Sequence, residues 1–187
     1  MKYRTIVADP PWQVHQPPPW NYGNPGGNRN RPVPYPTMSL PRIRALPVEA
    51  MADEDAHLYI WTINRYVERT YDLARAWGFK PSTLLTWCKP RKGLGVGGAY
   101  ALNTEHILFA RRGCDCVQRR EGATWFQWPR GEHSDKPDGF LDVVEQVSPG
   151  PYLELFARRA RFGWDYAGDG SLGTVELAGL RNPGEAA

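Results

Sequence analysis

The chain has 187 residues, 41% hydrophobic and 23% charged, with a net charge of +3. That suits one globular domain with a single buried core; the 18 prolines and 19 glycines fall short of a low-complexity composition. No run of about 18 apolar residues occurs, which excludes a membrane-spanning helix.

The apolar run Thr5-Ile6-Val7-Ala8 reads as a buried strand, cut by Asp9-Pro10 because prolines cannot continue a central strand. It is too short for a secretory signal, so a cytoplasmic protein is expected. Residues 13–38 are dominated by Pro, Gly, Asn and Arg and are expected to be a mobile loop. Ser39 to Ala45 fits a short helix, with Ser39 as N-cap and Pro41 in its first turn. His57 to Thr62 is a strand by its β-formers. Asn64 then caps a helix in which Val67, Tyr71 and Ala74 share a face, and Gly78 stops it. Thr83 to Cys88 is the next strand, followed by a Gly-rich loop over 89–103. Glu105 to Arg111 and Ala123 to Trp128 are further strands.

Ser134-Asp135-Lys136-Pro137 starts a helix whose Phe140, Val143, Val144 and Val147 form one apolar face. Strands follow at Tyr152 to Phe156 and Arg161 to Ala167, with a tail over 171–187. Strands alternating with helices predict an α/β fold with a mainly parallel sheet, with any antiparallel members late in the chain.

Three cysteines, Cys88, Cys114 and Cys116, make no disulfide framework. With His106 and His133 they match no standard zinc spacing, so no metal is expected. The mild positive charge is compatible with a polyanion without requiring one. Gly93-Leu94-Gly95-Val96-Gly97-Gly98 fits a dinucleotide fingerprint in letters only, because a strand rather than a helix comes next.

Asp9-Pro10-Pro11-Trp12 is the most informative stretch. In open α/β sheets, ligands bind beyond the carboxyl ends of strands, where this tetrapeptide sits. Asp9 and Pro10 each precede a proline and are held extended. The turn therefore offers a carboxylate and backbone carbonyls as acceptors beside an indole ring. An amino group on a planar heterocycle suits it: two N–H bonds to Asp9 and the Pro10 carbonyl, and a stack on Trp12 worth roughly 1–3 kcal/mol. A Pro-rich turn with a capping Asp and a core Trp fits the same four residues. Lys136 at a helix start makes a positive locus for a carboxylate or phosphate, or is simply solvated. Arg158-Arg159-Ala160-Arg161 is a basic cluster that alone reads as a solvated face.

Six motifs in order carry a resemblance: Ala8-Asp9-Pro10-Pro11-Trp12; Tyr35-Pro36-Thr37-Met38-Ser39; Leu58-Tyr59-Ile60-Trp61; Asn103-Thr104-Glu105-His106; His133-Ser134-Asp135-Lys136-Pro137-Asp138; and Leu153-Glu154-Leu155-Phe156-Ala157-Arg158, with Gly163-Trp164 after it. Over residues 4–170 the chain resembles the adenosine N6-methyltransferase family typified by the catalytic subunit of the eukaryotic mRNA adenosine methyltransferase, and most of all its small bacterial and phage members.

The resemblance implies one methyltransferase domain over 1–170 with a permuted Rossmann-like fold and helices on both faces of the sheet. It implies S-adenosyl-L-methionine as cofactor and an adenine amino group in nucleic acid as acceptor, DNA ahead of RNA. The catalytic set is then Asp9, Pro10, Pro11 and Trp12. Tyr35, Glu105 and Lys136 lie near the substrate. Asp9, Lys136, Phe156, Arg158, Gly168 and Asp169 lie near the cofactor. Ala160-Arg161 stands where the family's large members carry His-Asn. Cytosine N4 methylation, RNA adenosine methylation and a non-catalytic nucleic-acid-binding subunit are the alternatives. Target choice falls to the loops, or to a second copy or subunit.

Overall fold

Tyr3–Ala8 forms strand β1, buried on both faces, and Asp9-Pro10-Pro11 ends it because neither proline has an N–H to give the ladder. In this computed structural model the described residues are 1–13, 36–90, 100, 102–114, 116–129, 135–168 and 174–175. The two expected loops lie largely outside them, as do Tyr35, His133, Ser134 and Asp169.

Helices α1 (Leu40–Arg44) and α2 (Val48–Met51) lead into β2 (Ala52–Thr62). A 3-10 turn over Asn64–Tyr66 precedes α3 (Val67–Ala76). Gly78, at φ 79°, closes that helix as expected. Asn64 does not cap it: its side chain is taken by His106, as shown below. β3 (Lys80–Cys88) and β4 (Thr104–Arg112) follow, then β5 (Trp125–Phe126), α4 (Asp138–Val147), β6 (Tyr152–Leu155) and β7 (Trp164–Ala167).

β5 is shorter than expected: its ladder to β3 stops at Phe126, and beyond it the Trp128 carbonyl accepts the Trp87 indole N–H. β7 starts three residues late because Arg161 is held by Glu145 of α4 and Gly163 turns the chain at φ 82°. Thr174 and Val175, expected in the tail, are anchored on β7 through Tyr166.

The described strands form one sheet, in the order β5-β3-β4-β2-β1-β6-β7. β4 is antiparallel to β2 and β3, and the other described pairs are parallel. The mainly parallel α/β class is therefore borne out, but the reversed strand lies mid-chain rather than late. The strand order reverses between β1 and β6, and the loops leaving their carboxyl ends part in opposite directions. That opens the crevice in which such sheets bind ligands.

Helices cover both faces. Ile43, Leu46, Val48, Leu73 and Trp77, from or flanking α1 to α3, pack with Ile6, Leu58, Ile60, Leu108, Leu153 and Leu155 on one face. Phe140 and Val144 of α4 pack with Val7, Tyr59, Trp61, Trp87 and Ile107 on the other. Phe140 meets Trp61 edge-on at 4.8 Å and Tyr59 at 5.9 Å. This ring docks α4, and so fixes the segment carrying Lys136. Phe140→Ala is expected to cost about 3–5 kcal/mol in urea unfolding; a loss below about 1 kcal/mol would show that α4 docks by other contacts.

Candidate active site

The carboxyl edge of the sheet gathers the expected residues from four strands. Asp9 follows β1 and Phe156 follows β6, while Thr62, which ends β2, and Ile63 after it are additions to the expected set. Glu105 comes from the amino end of β4, which reaches this edge only because β4 is reversed. Lys136 stands two residues before α4, with Pro137 as N-cap. It therefore precedes the helix rather than opening it, a correction to the expected start.

These residues line two cavities. The larger, about 240 Å³, lies on the α4 side against Lys136, Pro137, Phe140, Glu154, Phe156, Arg158 and Arg161. The smaller, about 80 Å³, is lined by Pro10, Pro11, Trp12, Thr62, Ile63 and Glu105. Asp9, Trp61, Lys136 and Arg158 line both. The two cavities thus meet at one carboxylate and one ammonium.

Lys136 Nζ donates to Asp9 Oδ2 at 2.8 Å and lies 3.7 Å from Glu105 Oε2. It also sits 5.2 Å from the centre of the Trp61 ring. Burial alone would lower its pKa; the Asp9 and Glu105 carboxylates outweigh burial and hold it above the usual lysine value. Lys89 pairs with the other oxygen of Glu105 and packs over Trp87.

The tetrapeptide is built differently from its sequence reading in two respects. The Pro10 carbonyl already accepts the Trp12 N–H at 2.8 Å, which leaves it one lone pair rather than two. The Trp12 ring is only 6% exposed. It stacks on Tyr66 at 4.9 Å and donates its indole N–H to the Trp61 carbonyl at 3.1 Å. The expected open stacking face is therefore not presented; the indole borders the small cavity and ties the end of β1 to the end of β2. Met38 N donates to the Pro11 carbonyl, closing the base of the loop that follows.

Phe156 adopts φ 65°, a left-handed conformation uncommon for a residue with a Cβ, and its N–H donates to the Ala167 carbonyl at 2.7 Å. This bend turns Ala157 and Arg158 back over the cavity. Arg159 donates to the Lys136 carbonyl and pairs with Asp138, while Arg161 bridges Glu145 and Asp142. Two arginines of the basic cluster are therefore staples to α4, and Arg158 lines both cavities. Gly168 reaches the same edge, where an added Cβ would come within 3.3 Å of the Ala157 carbonyl. It is not among the residues lining the two cavities.

Sequence reading missed Glu154 and Lys89 as site residues. Glu154 is the polar member of Tyr152-Leu153-Glu154-Leu155 in a strand paired on both sides, a place where an unneeded carboxylate is costly. Burial, reinforced by nearby Asp9 and against the pull of Arg159, Lys136 and Arg161, raises its pKa from the ordinary 4.5 to about 7.

The larger cavity combines cations (Lys136, Arg158), carboxylates (Asp9, Glu154) and aromatic walls (Phe140, Phe156). That donor set fits a zwitterionic amino-acid group joined to a hydroxylated, flat nucleoside.

The chain matches the MT-A70 family over residues 3–170. It belongs to that family. Type II methyltransferase M.MunI of Mycoplasma sp is 30% identical over 179 residues, covering 88% of this chain and 76% of that protein. The N(6)-adenosine-methyltransferase MT-A70-like protein of Drosophila melanogaster is 29% identical, covering 84% of this chain and 24% of its own length. Human N(6)-adenosine-methyltransferase catalytic subunit METTL3 is 25% identical, covering 84% and 26%. The chain thus spans most of M.MunI and about a quarter of these two animal relatives. The family expected from the six motifs is the one found, and with it the enzyme class, a methyltransferase.

Glu154 gives this site of the MT-A70 member a pH signature. A carboxyl whose folded pKa is raised stabilises the fold below its unfolded pKa, and that contribution is lost as pH rises through the folded value. The window is therefore 4.5 to about 7. Glu154→Gln is expected to match wild type near pH 4 and to exceed it near pH 8 by on the order of 3 kcal/mol. Thermal melts of cofactor-free protein at the two pH values check this; an unchanged gap would mean that Glu154 ionises freely.

Proposed function

We propose that this chain transfers a methyl group from S-adenosylmethionine to the N6 amino group of an adenine in nucleic acid, with DNA ahead of RNA on its similarity to Type II methyltransferase M.MunI, 76% of which it covers. The observation that carries the reading is the meeting of the two cavities at Asp9 and Lys136. The larger would hold the cofactor and the smaller the edge of the target base. MT-A70 membership and the names of the relatives support the same reading. When bound, S-adenosylmethionine supplies an electrophilic methyl group on a positively charged sulfur.

The adenine must leave its stack to reach the small cavity, so a flipped or single-stranded base is required. Asp9 accepts one amino N–H, and the remaining lone pair of the Pro10 carbonyl accepts the other. Together they orient the nitrogen lone pair, which otherwise conjugates into the ring. Lys136 occupies Asp9 Oδ2, so the amino group either uses the second oxygen or displaces the ammonium toward Glu105. Glu105 is placed to receive it, which keeps the charge paired throughout. Once the new N–C bond forms, the nitrogen carries a positive charge and its proton is acidic. Asp9 therefore needs no unusual basicity, and its negative charge stabilises the developing cation.

Trp12 acts through position. Its indole, locked between Tyr66 and the Trp61 carbonyl, sets the angle at which Asp9 and Pro10 face the cavity.

The test is transfer of tritiated methyl from S-adenosylmethionine to DNA and RNA, followed by digestion to nucleosides. The expected product is N6-methyladenine. Asp9→Ala should lower transfer roughly 100- to 1,000-fold, the loss seen when an oriented charge-stabilising group is removed, while calorimetry still detects cofactor binding. An active Asp9→Ala enzyme would overturn the mechanism, and label in cytosine would overturn the base assignment.

A further inference from the structure

The sheet carries a second feature at the same edge, on the face opposite α4. Three registers align it: Trp125 of β5 pairs with Thr86 of β3, Thr86 pairs with His106 of β4, and His106 pairs with Thr62 of β2. Paired residues share a face, so these four side chains form one row across four strands.

The row is stitched by side chains. His106 Nε2–H donates to Asn64 Oδ1 at 2.7 Å, and Nδ1 accepts from the Thr86 hydroxyl at 3.1 Å. A neutral ring satisfies both contacts with one proton. Burial lowers the His106 pKa against the pull of Glu105, which favours that neutral form. This contact takes Asn64 away from capping its helix and stands it at the rim.

At the outer end, Trp125 is 59% exposed. Its neighbours Phe126 and Trp128 stack on each other at 4.6 Å, and Phe126 pairs with Trp87, whose side chain lies on the α4 face. Packing on that side thus leaves Trp125 as a bare indole at a sheet edge. At the inner end the row reaches the small cavity through Thr62, which lines it.

We infer that Trp125, His106 and Asn64 form a docking strip for the single strand of nucleic acid that flanks the target adenine, with a flanking base stacked on Trp125. This rests on the methyltransferase reading above. β5 lies four strands from β1, about 19 Å at the usual strand spacing. That equals about six stacked nucleotides, or fewer in an extended strand. The strip therefore contacts the flank and not the target base. An exposed aromatic face on which a base can stack is the sequence-tolerant part of the chemistry that holds single strands. Continuity with the base cavity is what favours a nucleic-acid strand over a protein partner.

The experiment compares wild type, Trp125→Ala and Trp125→Phe. Fluorescently labelled oligo(dT) and oligo(rU) of about 20 nucleotides are titrated by anisotropy, which separates DNA from RNA. Trp125→Ala should weaken binding roughly 5- to 100-fold, the span of one lost stack, and Trp125→Phe less. The slope of affinity against salt should not change, because no ion pair is removed. In turnover, KM for a long unmethylated oligonucleotide that contains adenine should rise while kcat and the KM for S-adenosylmethionine hold. A trinucleotide substrate should not distinguish the variants. Equal binding of long strands by wild type and Trp125→Ala overturns the strip. So does an equal loss on the trinucleotide, or a raised KM for the cofactor. Absence of methylation by wild type, with binding still dependent on Trp125, would instead count against the proposed reaction alone.

Discussion

One ammonium among carboxylates organises the cleft. Lys136, largely shielded from water, is balanced by Asp9 at 2.8 Å and Glu105 at 3.7 Å, and Glu105 is shared with Lys89. Taking charges out of water is costly unless each is paired, so these groups hold one another in register across segments far apart in the chain. Asp9 follows β1, Glu105 opens β4 and Lys136 precedes α4. Removing any one leaves another buried charge uncompensated. The same balance permits exchange. A ligand amino group can compete for Asp9, and the Lys136 ammonium so released has Glu105 as a second contact. The cleft is polarised before anything binds, which spares reorganisation at the moment of reaction.

The sheet makes this cluster possible through two topological facts. The order reverses between β1 and β6, so Asp9 and Phe156 flank a crevice and are not covered by a crossover. β4 is reversed, so its first residues share an edge with the last residues of β1, β2 and β3. Glu105 thus faces Lys136, and His106, one residue on, points to the other face. A single alternation of the strand sends one residue to the charge cluster and the next to the row ending at Trp125.

Much of this was legible in the sequence where local rules decide. β1 and its proline stop, the Gly78 helix end, and the apolar face of α4 follow from spacing and from backbone chemistry. The order of the six motifs named the family. The misses share one cause: they concern which way a side chain faces and what it meets there. Trp12 read as an open aromatic platform, but Tyr66, some fifty residues later, covers its face. The Pro10 carbonyl read as free, but the turn lets Trp12 N reach back to it. Glu154 left a trace, a carboxylate in an apolar strand, yet its role depends on β1 bringing Asp9 beside it. Asn64 obeyed the statistics of a cap and was diverted by His106.

At Ala160-Arg161 the chain uses its arginine as a structural fastening. Arg161 makes two parallel bonds to Glu145 and a third to Asp142, and Glu145 also accepts the Trp164 indole N–H. Bidentate arginine–carboxylate pairs are among the stronger and more directional contacts available. Glu145 answers in kind: the guanidinium bonds hold its pKa below the ordinary glutamate value against partial burial. An arginine so engaged has little left to offer a ribose. What it offers instead is a fixed loop. From the left-handed turn at Phe156 to the first residue of β7, the chain is fastened to α4 at Arg159 and again at Arg161. Arg158, between the bend and the first fastening, is the arginine left facing both cavities. Fastening on either side of Arg158 holds its backbone, so the side chain would lose less freedom on meeting an anion.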